Sequence, residues 1–302
     1  MNLQLIHFLT TDNLRLPGLL YQPESNTKKV ALYLHGNGTS SVFYSPLMNI
    51  LGKQLTDNNI SFFPFNNRGA HLIKSLTRES TNGGERALYG TAYELIKDCV
   101  IDINSAIHAL QEMGYEEFYL IGESTGANKI VVYHYYQPQN PVSKYILLSG
   151  GDDTGLYYDE LGKETFFKIL ETAKQKIAKG MGEELISKEL YAVMPMSYQS
   201  MYDTLNPDGD YNIFPYNETF NNLQLSSKEI FKEFKRINKP TFVVYGELDE
   251  FCYGRVPDCV EVLKKNTKNP TLFEYHIMKE ADHGFHGKEH ELSKLISHFL
   301  LK

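Results

Sequence analysis

The sequence predicts an α/β fold, a mostly parallel central sheet flanked by helices and interrupted once by a mainly helical insertion. Three observations carry this. Short apolar runs rich in Val, Ile, Phe and Tyr recur along the 302 residues, and segments of helical period lie between several of them. The alternation stops after Gly150 and resumes at Thr241. A parallel strand pair needs a crossover long enough to hold a helix, so alternating strands and helices put helices on the faces of a parallel sheet.

Taken in order, the opening residues, with Pro17 and Gly18 among alternating Leu, read as an antiparallel hairpin on the sheet edge. Val30 to Leu34 and Ile60 to Phe65 read as buried strands. Between them Leu47, Met48, Leu51 and Leu55 mark one helical face, with Ser45 at the N-cap and Pro46 at the first helical position. A second face, Ile96, Cys99, Val100, Ile103, Ile107 and Leu110, ends at Gly114, a residue suited to the left-handed position after a helix. Phe118 to Ile121 and Tyr145 to Leu148 are further strands, with a helical stretch through Ile130, Val131 and His134 between them. Phe242 to Tyr245, Leu272 to Ile277 and a last helix complete the pattern.

The predicted organisation is therefore a core of residues 1–150 and 240–302 with a cap, or lid, inserted at 151–239. In the insertion Phe166, Phe167, Leu170 and Ile177 have helical period, and Tyr211 to Tyr216 reads as an aromatic loop. Ser226 and Glu229 match a capping box and predict a helix leading back to the sheet.

Composition narrows the function. With 30 Lys and Arg against 37 Asp and Glu, the net charge of −7 disfavours nucleic acid and anionic membranes as partners. Three cysteines, Cys99, Cys252 and Cys259, form no CxxC pair and suggest no disulfide framework. The N-terminus lacks the basic region of a signal peptide and a small-residue cleavage site after an apolar core, and no apolar run approaches the ~18–20 residues that span a bilayer. The expectation is a soluble, cytoplasmic protein in a reducing compartment.

The chemistry begins at Gly122-Glu-Ser124-Thr-Gly126, where a buried strand runs into G-x-S-x-G and a helix follows. A tight strand-to-helix turn lifts the Ser124 hydroxyl clear of the sheet, and the helix N-terminus favours negative charge developing there. A hydroxyl is a poor nucleophile until a base takes its proton, and the base needs an orienting acid. Asp249, just past the strand Phe242 to Tyr245, and His283, in the loop before the last helix, fall at the same carboxyl edge. Asp249 has rivals in Glu247 and Glu250, and His283 in His286 and His290. The spacing of the three histidines also allows a metal, but no Cys or carboxylate pattern supports one; neither metal nor cofactor is expected. Backbone N–H groups of Thr125 and of Asn37, in His35-Gly36-Asn37-Gly38, are the candidate oxyanion-hole donors.

The ordered set HGNG, GESTG, GELD and ADHGF resembles the α/β-hydrolase superfamily from about Val30 to the C-terminus. The resemblance implies Ser124 as nucleophile, Asp249 as acid, His283 as base and a cap between the sixth and seventh conventional strands. It also implies a structural arginine in the turn Asn67-Arg68-Gly69. The stretch Asn66 to Asp102, with Gly83-Gly84 and Ala92-Tyr93-Glu94, is similar to a little-described branch that includes fungal siderophore esterases. The expected function is hydrolysis of a carboxylic ester of a small or medium-sized, apolar or aromatic small molecule. A non-catalytic small-molecule receptor on the same fold, an acyltransferase and a haloperoxidase are the alternatives. The insertion, rich in Tyr, Phe and Met from Tyr157 to Tyr216, is expected to roof Ser124 and supply most substrate contacts, although each such side chain taken singly is better read as packing.

Overall fold

The structure, a computed structural model, describes residues 1–81 and 83–302. The chain opens with β1 (Asn2–Leu9) and β2 (Arg15–Gln22), an antiparallel pair as predicted. β3 (Lys29–Leu34), α1 (Leu47–Asp57) and β4 (Ser61–Pro64) follow as a parallel crossover. Pro46 already has helical dihedrals, and the Ser45 hydroxyl accepts from the Leu47 N–H at 3.1 Å, so Ser45 caps α1.

A small exposed ribbon, β5 (Lys74–Arg78) and β6 (Glu85–Tyr89), comes next; its pairing is antiparallel and lies outside the main sheet. α2 (Cys99–Glu112) leads through Gly114, at φ 92°, to β7 (Glu117–Glu123), α3 (Thr125–Tyr136) and β8 (Val142–Leu148). The segment after β8 holds α4 (Asp153–Ala178), broken at Gly162, then α5 (Tyr198–Leu205) and α6 (Tyr216–Asn221). β9 (Thr241–Gly246), α7 (Val256–Lys265), β10 (Phe273–Met278) and α8 (Glu289–Leu301) finish the chain.

The eight-stranded sheet has the order β1-β2-β4-β3-β7-β8-β9-β10, antiparallel only at the β1–β2 and β2–β4 pairs. Strand side chains alternate between two cores. Val30, Leu32 and Leu34 face the side covered by α2, α3 and α7, whereas Ala31 and Tyr33 face α1 and α8. In the segment after β8, Phe166, Ile169 and Met201 form a separate small cluster. Further along, Tyr211, Phe214, Tyr216 and Phe234 pack on the main core.

The capping-box expectation at Ser226 fails. Glu218, not Glu229, takes the Ser226 N–H at 2.8 Å and its hydroxyl at 2.6 Å, while Glu229 pairs with Lys235. A long-range partner has outcompeted the local one, and only a 3₁₀ turn, Phe234–Arg236, forms before β9. Arg68 is buried and pairs with Asp102 at 2.8 Å and Asp12 at 3.1 Å, tying the end of β4 to α2. Among the described residues no helix is long and apolar enough to cross a membrane.

Candidate active site

Ser124 lies between β7 and α3 at φ 55°, ψ −128°, a left-handed conformation that a non-glycine residue adopts only where its surroundings impose it. Its N–H donates to the Leu148 carbonyl at 2.8 Å. The flanking glycines are required by close backbone approach. A Cβ on Gly122 would stand 2.3 Å from the Gly126 carbonyl oxygen, and one on Gly126 would stand 2.2 Å from that of Leu34. G-x-S-x-G is thus the pattern that lets helix and strand meet at a sharp turn.

At the end of β9, Gly246 makes a comparable fit: a Cβ there would lie 2.3 Å from the Asp282 carbonyl oxygen. That contact brings the loop after β9 against the loop after β10. Asp249, 2% exposed, accepts from His283 Nδ1 at 2.9 Å and from the Phe251 N–H at 3.0 Å through the same oxygen. The two rival carboxylates hold the histidine loop by its backbone. Glu247 accepts the Glu280 N–H at 2.9 Å and Glu250 accepts the His283 N–H at 3.2 Å. His286 pairs with Asp282 at 2.8 Å, and His290 is exposed at the start of α8. The three histidines therefore do not converge, and no set of three metal-ligating side chains forms among the described residues.

Burial disfavours a charged His283 ring, but the hydrogen bond and charge of Asp249 outweigh it and raise the pKa above the ordinary 6.5. The Phe251 ring meets the imidazole nearly at right angles, with centroids 4.6 Å apart.

Ser124 and His283 border one cavity of about 410 Å³. Asn37, Thr125 and Gly36 border it too, and neither the Asn37 nor the Thr125 N–H donates to another group among the described residues. The loop of Asn37 is pressed onto the elbow, since a Cβ on Gly36 would come 3.0 Å from Ser124 Cβ. The sequence-predicted site residues Ser124, His283, Asn37 and Thr125 thus meet at one cavity, and Asp249 lies directly behind His283.

The segment after β8 supplies six of the fourteen lining residues, fewer than half. Of its aromatic and Met side chains, Tyr157 and Met194 reach the cavity, while Phe166, Met196 and Met201 pack within the segment. Sequence reasoning missed Glu123, Asp153, Glu160 and Phe251 on the cavity wall. A signal existed for Asp153, which follows β8 by five residues at the carboxyl edge of the sheet. Burial raises the Asp153 carboxyl to a pKa of about 6 and also raises that of Glu123, whose carboxylate accepts from the Tyr33 hydroxyl.

A family described as "Protein of unknown function (DUF1749)" matches residues 87–300. No curated protein matches the sequence. Among solved structures the chain is similar to the alpha/beta hydrolase GrgF from Penicillium sp. sh18, at 16% identity and TM-score 0.67, over 99% of this chain and 98% of that one. It is similar to Est1E from Butyrivibrio proteoclasticus with ferulic acid bound, at 12% identity and TM-score 0.62, over 97% of each chain. It is also similar to carboxylesterase CesB from Bacillus subtilis, at 14% identity and TM-score 0.55, over 100% of this chain and 91% of that one. These likenesses establish the α/β-hydrolase fold that the sequence motifs implied.

Proposed function

The chain belongs to the family described as "Protein of unknown function (DUF1749)", and from its α/β-hydrolase fold and the residues around the cavity we propose that it is a serine hydrolase cleaving a carboxylic ester. Ser124 Oγ attacks the carbonyl carbon while His283 Nε2 takes its proton. Asp249 holds the Nδ1 proton of His283, which leaves Nε2 as the base, and it stabilises the imidazolium without accepting the proton. The Thr125 and Asn37 N–H groups receive the oxyanion. His283 returns the proton to the leaving alkoxide, giving an acyl-enzyme at Ser124, and water activated by the same imidazole releases the acid. Each step uses groups of this chain and water.

The observation that carries this reading is the 2.9 Å Asp249–His283 bond beside a cavity shared by His283, Ser124, Asn37 and Thr125, the last two with N–H groups that donate to no other group among the described residues. Residues 151–239 act as the cap. Leu156, Tyr157, Met194 and Phe251 give the cavity an apolar and aromatic wall, which supports a small or medium-sized substrate with an apolar or aromatic part.

The test is a hydrolysis panel of esters graded in acyl length, with aryl esters included. Ser124-dependent turnover of at least one class is expected. Persistent ligand binding with no turnover across the panel would favour a receptor built on the same fold instead.

A further inference from the structure

The first part of α4 turns one stripe toward the cavity. Asp153, Leu156, Tyr157 and Glu160, spaced i, i+3, i+4 and i+7, all border it, and Gly162 breaks the helix just beyond. The stripe is acidic at both ends and apolar in the middle. Glu123 adds a third carboxylate and Phe251 a second aromatic ring. Among the described residues no lysine or arginine borders the cavity, which leaves His283 as its basic group.

Among the described residues none of these carboxylates forms an ion pair. Asp153 accepts from neutral groups, Thr125 Oγ1 at 3.3 Å and Asn128 Nδ2 at 3.1 Å, both through Oδ2. Glu123 is held by the neutral Tyr33 hydroxyl. Glu160 pairs with no cation among the described residues. Carboxylates in a cleft with low-dielectric walls concentrate negative potential inside it, so an anionic ester is repelled and a cation is drawn in. A tyrosine ring between two carboxylates suits a cationic nitrogen further, because its π face attracts positive charge.

We propose that the substrate of this site carries a positively charged nitrogen, an ammonium or quaternary ammonium group, held by Asp153, Tyr157 and Glu160. This rests on the esterase reading of the same cavity. The apolar part and the cation belong to one molecule, the first against Leu156 and Met194 and the second against the acidic ends of the stripe.

Two matched ester pairs test it. In one the charge is on the alcohol: butyrylcholine against the butyrate ester in which carbon replaces the quaternary nitrogen. In the other it is on the acyl part: the p-nitrophenyl ester of γ-trimethylammoniobutyrate against its carbon isostere. In at least one pair the cation should be favoured by about tenfold in kcat/KM at low ionic strength. The preference should shrink in about 0.5 M salt and in Glu160→Gln and Asp153→Asn. Neutral esters hydrolysed as well as, or better than, their cationic partners in both pairs would overturn the inference and leave the esterase reading standing. Should no ester turn over, the esterase reading fails, and binding to Ser124→Ala still decides this one. Choline binding more tightly than its carbon isostere by calorimetry, and more weakly after Glu160→Gln, supports it; equal or weaker binding of choline overturns it.

Discussion

Asp249 Oδ1 lies 2.9 Å from His283 Nδ1, while Glu247 and Glu250, on either side of Asp249, grip the backbone of the histidine's own loop. Three carboxylates within four residues therefore divide two tasks. One faces the imidazole, and two fix the loop that presents it.

That division predicts unequal mutants. Asp249→Asn should lower kcat by about 10⁴-fold, the scale seen when a triad carboxylate becomes an amide and the histidine adopts the wrong tautomer. Glu247→Gln and Glu250→Gln keep an oxygen that accepts the same N–H and should stay within about tenfold, the equivalent of one charge-assisted hydrogen bond. Steady-state rates check this; an active Asp249→Asn beside a dead Glu250→Gln would mean that the acid is misassigned.

The pH dependence follows from the raised His283 pKa. Only the neutral imidazole acts as base, so kcat/KM should rise with pH through a midpoint above 6.5, and Asp249→Asn should move that midpoint down. Stability runs the other way. A group whose pKa is raised on folding stabilises fully below its unfolded value near 6.5 and loses that contribution as pH rises through the folded value. An acid limb centred well below 6.5, measured on the free enzyme, would contradict the assignment.

The elbow glycines should tolerate no side chain. Gly122→Ala and Gly126→Ala each place Cβ within 2.3 Å of a backbone carbonyl oxygen, and should lose at least about 1–3 kcal/mol in denaturant unfolding. Gly151→Ala, whose nearest neighbour would be 3.8 Å away, should stay within about 0.5 kcal/mol. Equal losses at Gly126 and Gly151 would remove the packing explanation.

Arg68 is 5% exposed and faces the buried Asp102. Arg68→Met removes the guanidinium and leaves that carboxylate, of its two kinds of bond to this residue, only the one from the residue-68 N–H, and should cost about 3–5 kcal/mol because a buried charge has lost its counter-ion. A loss below about 1 kcal/mol would show that water or another group compensates Asp102.

The legible parts of this sequence are those where burial leaves a simple period. β3, β7, β8 and β9 are buried along most of their length and read as apolar runs, and the glycines at 122, 126 and 246 mark backbone contacts that no other residue fits. The ribbon β5–β6 was not legible, because KSLTR is half-buried, ERALY is largely exposed, and neither carries apolar alternation. The Ser226 signal misled because the sequence shows Glu229 three residues away but not Glu218, which folding brings closer. The acidic stripe on α4 was hidden for a similar reason. Its spacing is visible in the chain, but the cavity it faces is built by residues as distant as Asn37 and His283.

Intact-protein and peptide mass spectrometry after treatment with an alkyl fluorophosphonate tests directly whether Ser124 is an activated nucleophile. One covalent phosphonyl adduct is expected, mapped to Ser124, formed slowly in His283→Ala and not at all in Ser124→Ala. An adduct that persists in Ser124→Ala, or a wild-type protein left unmodified while it hydrolyses esters, would contradict that role.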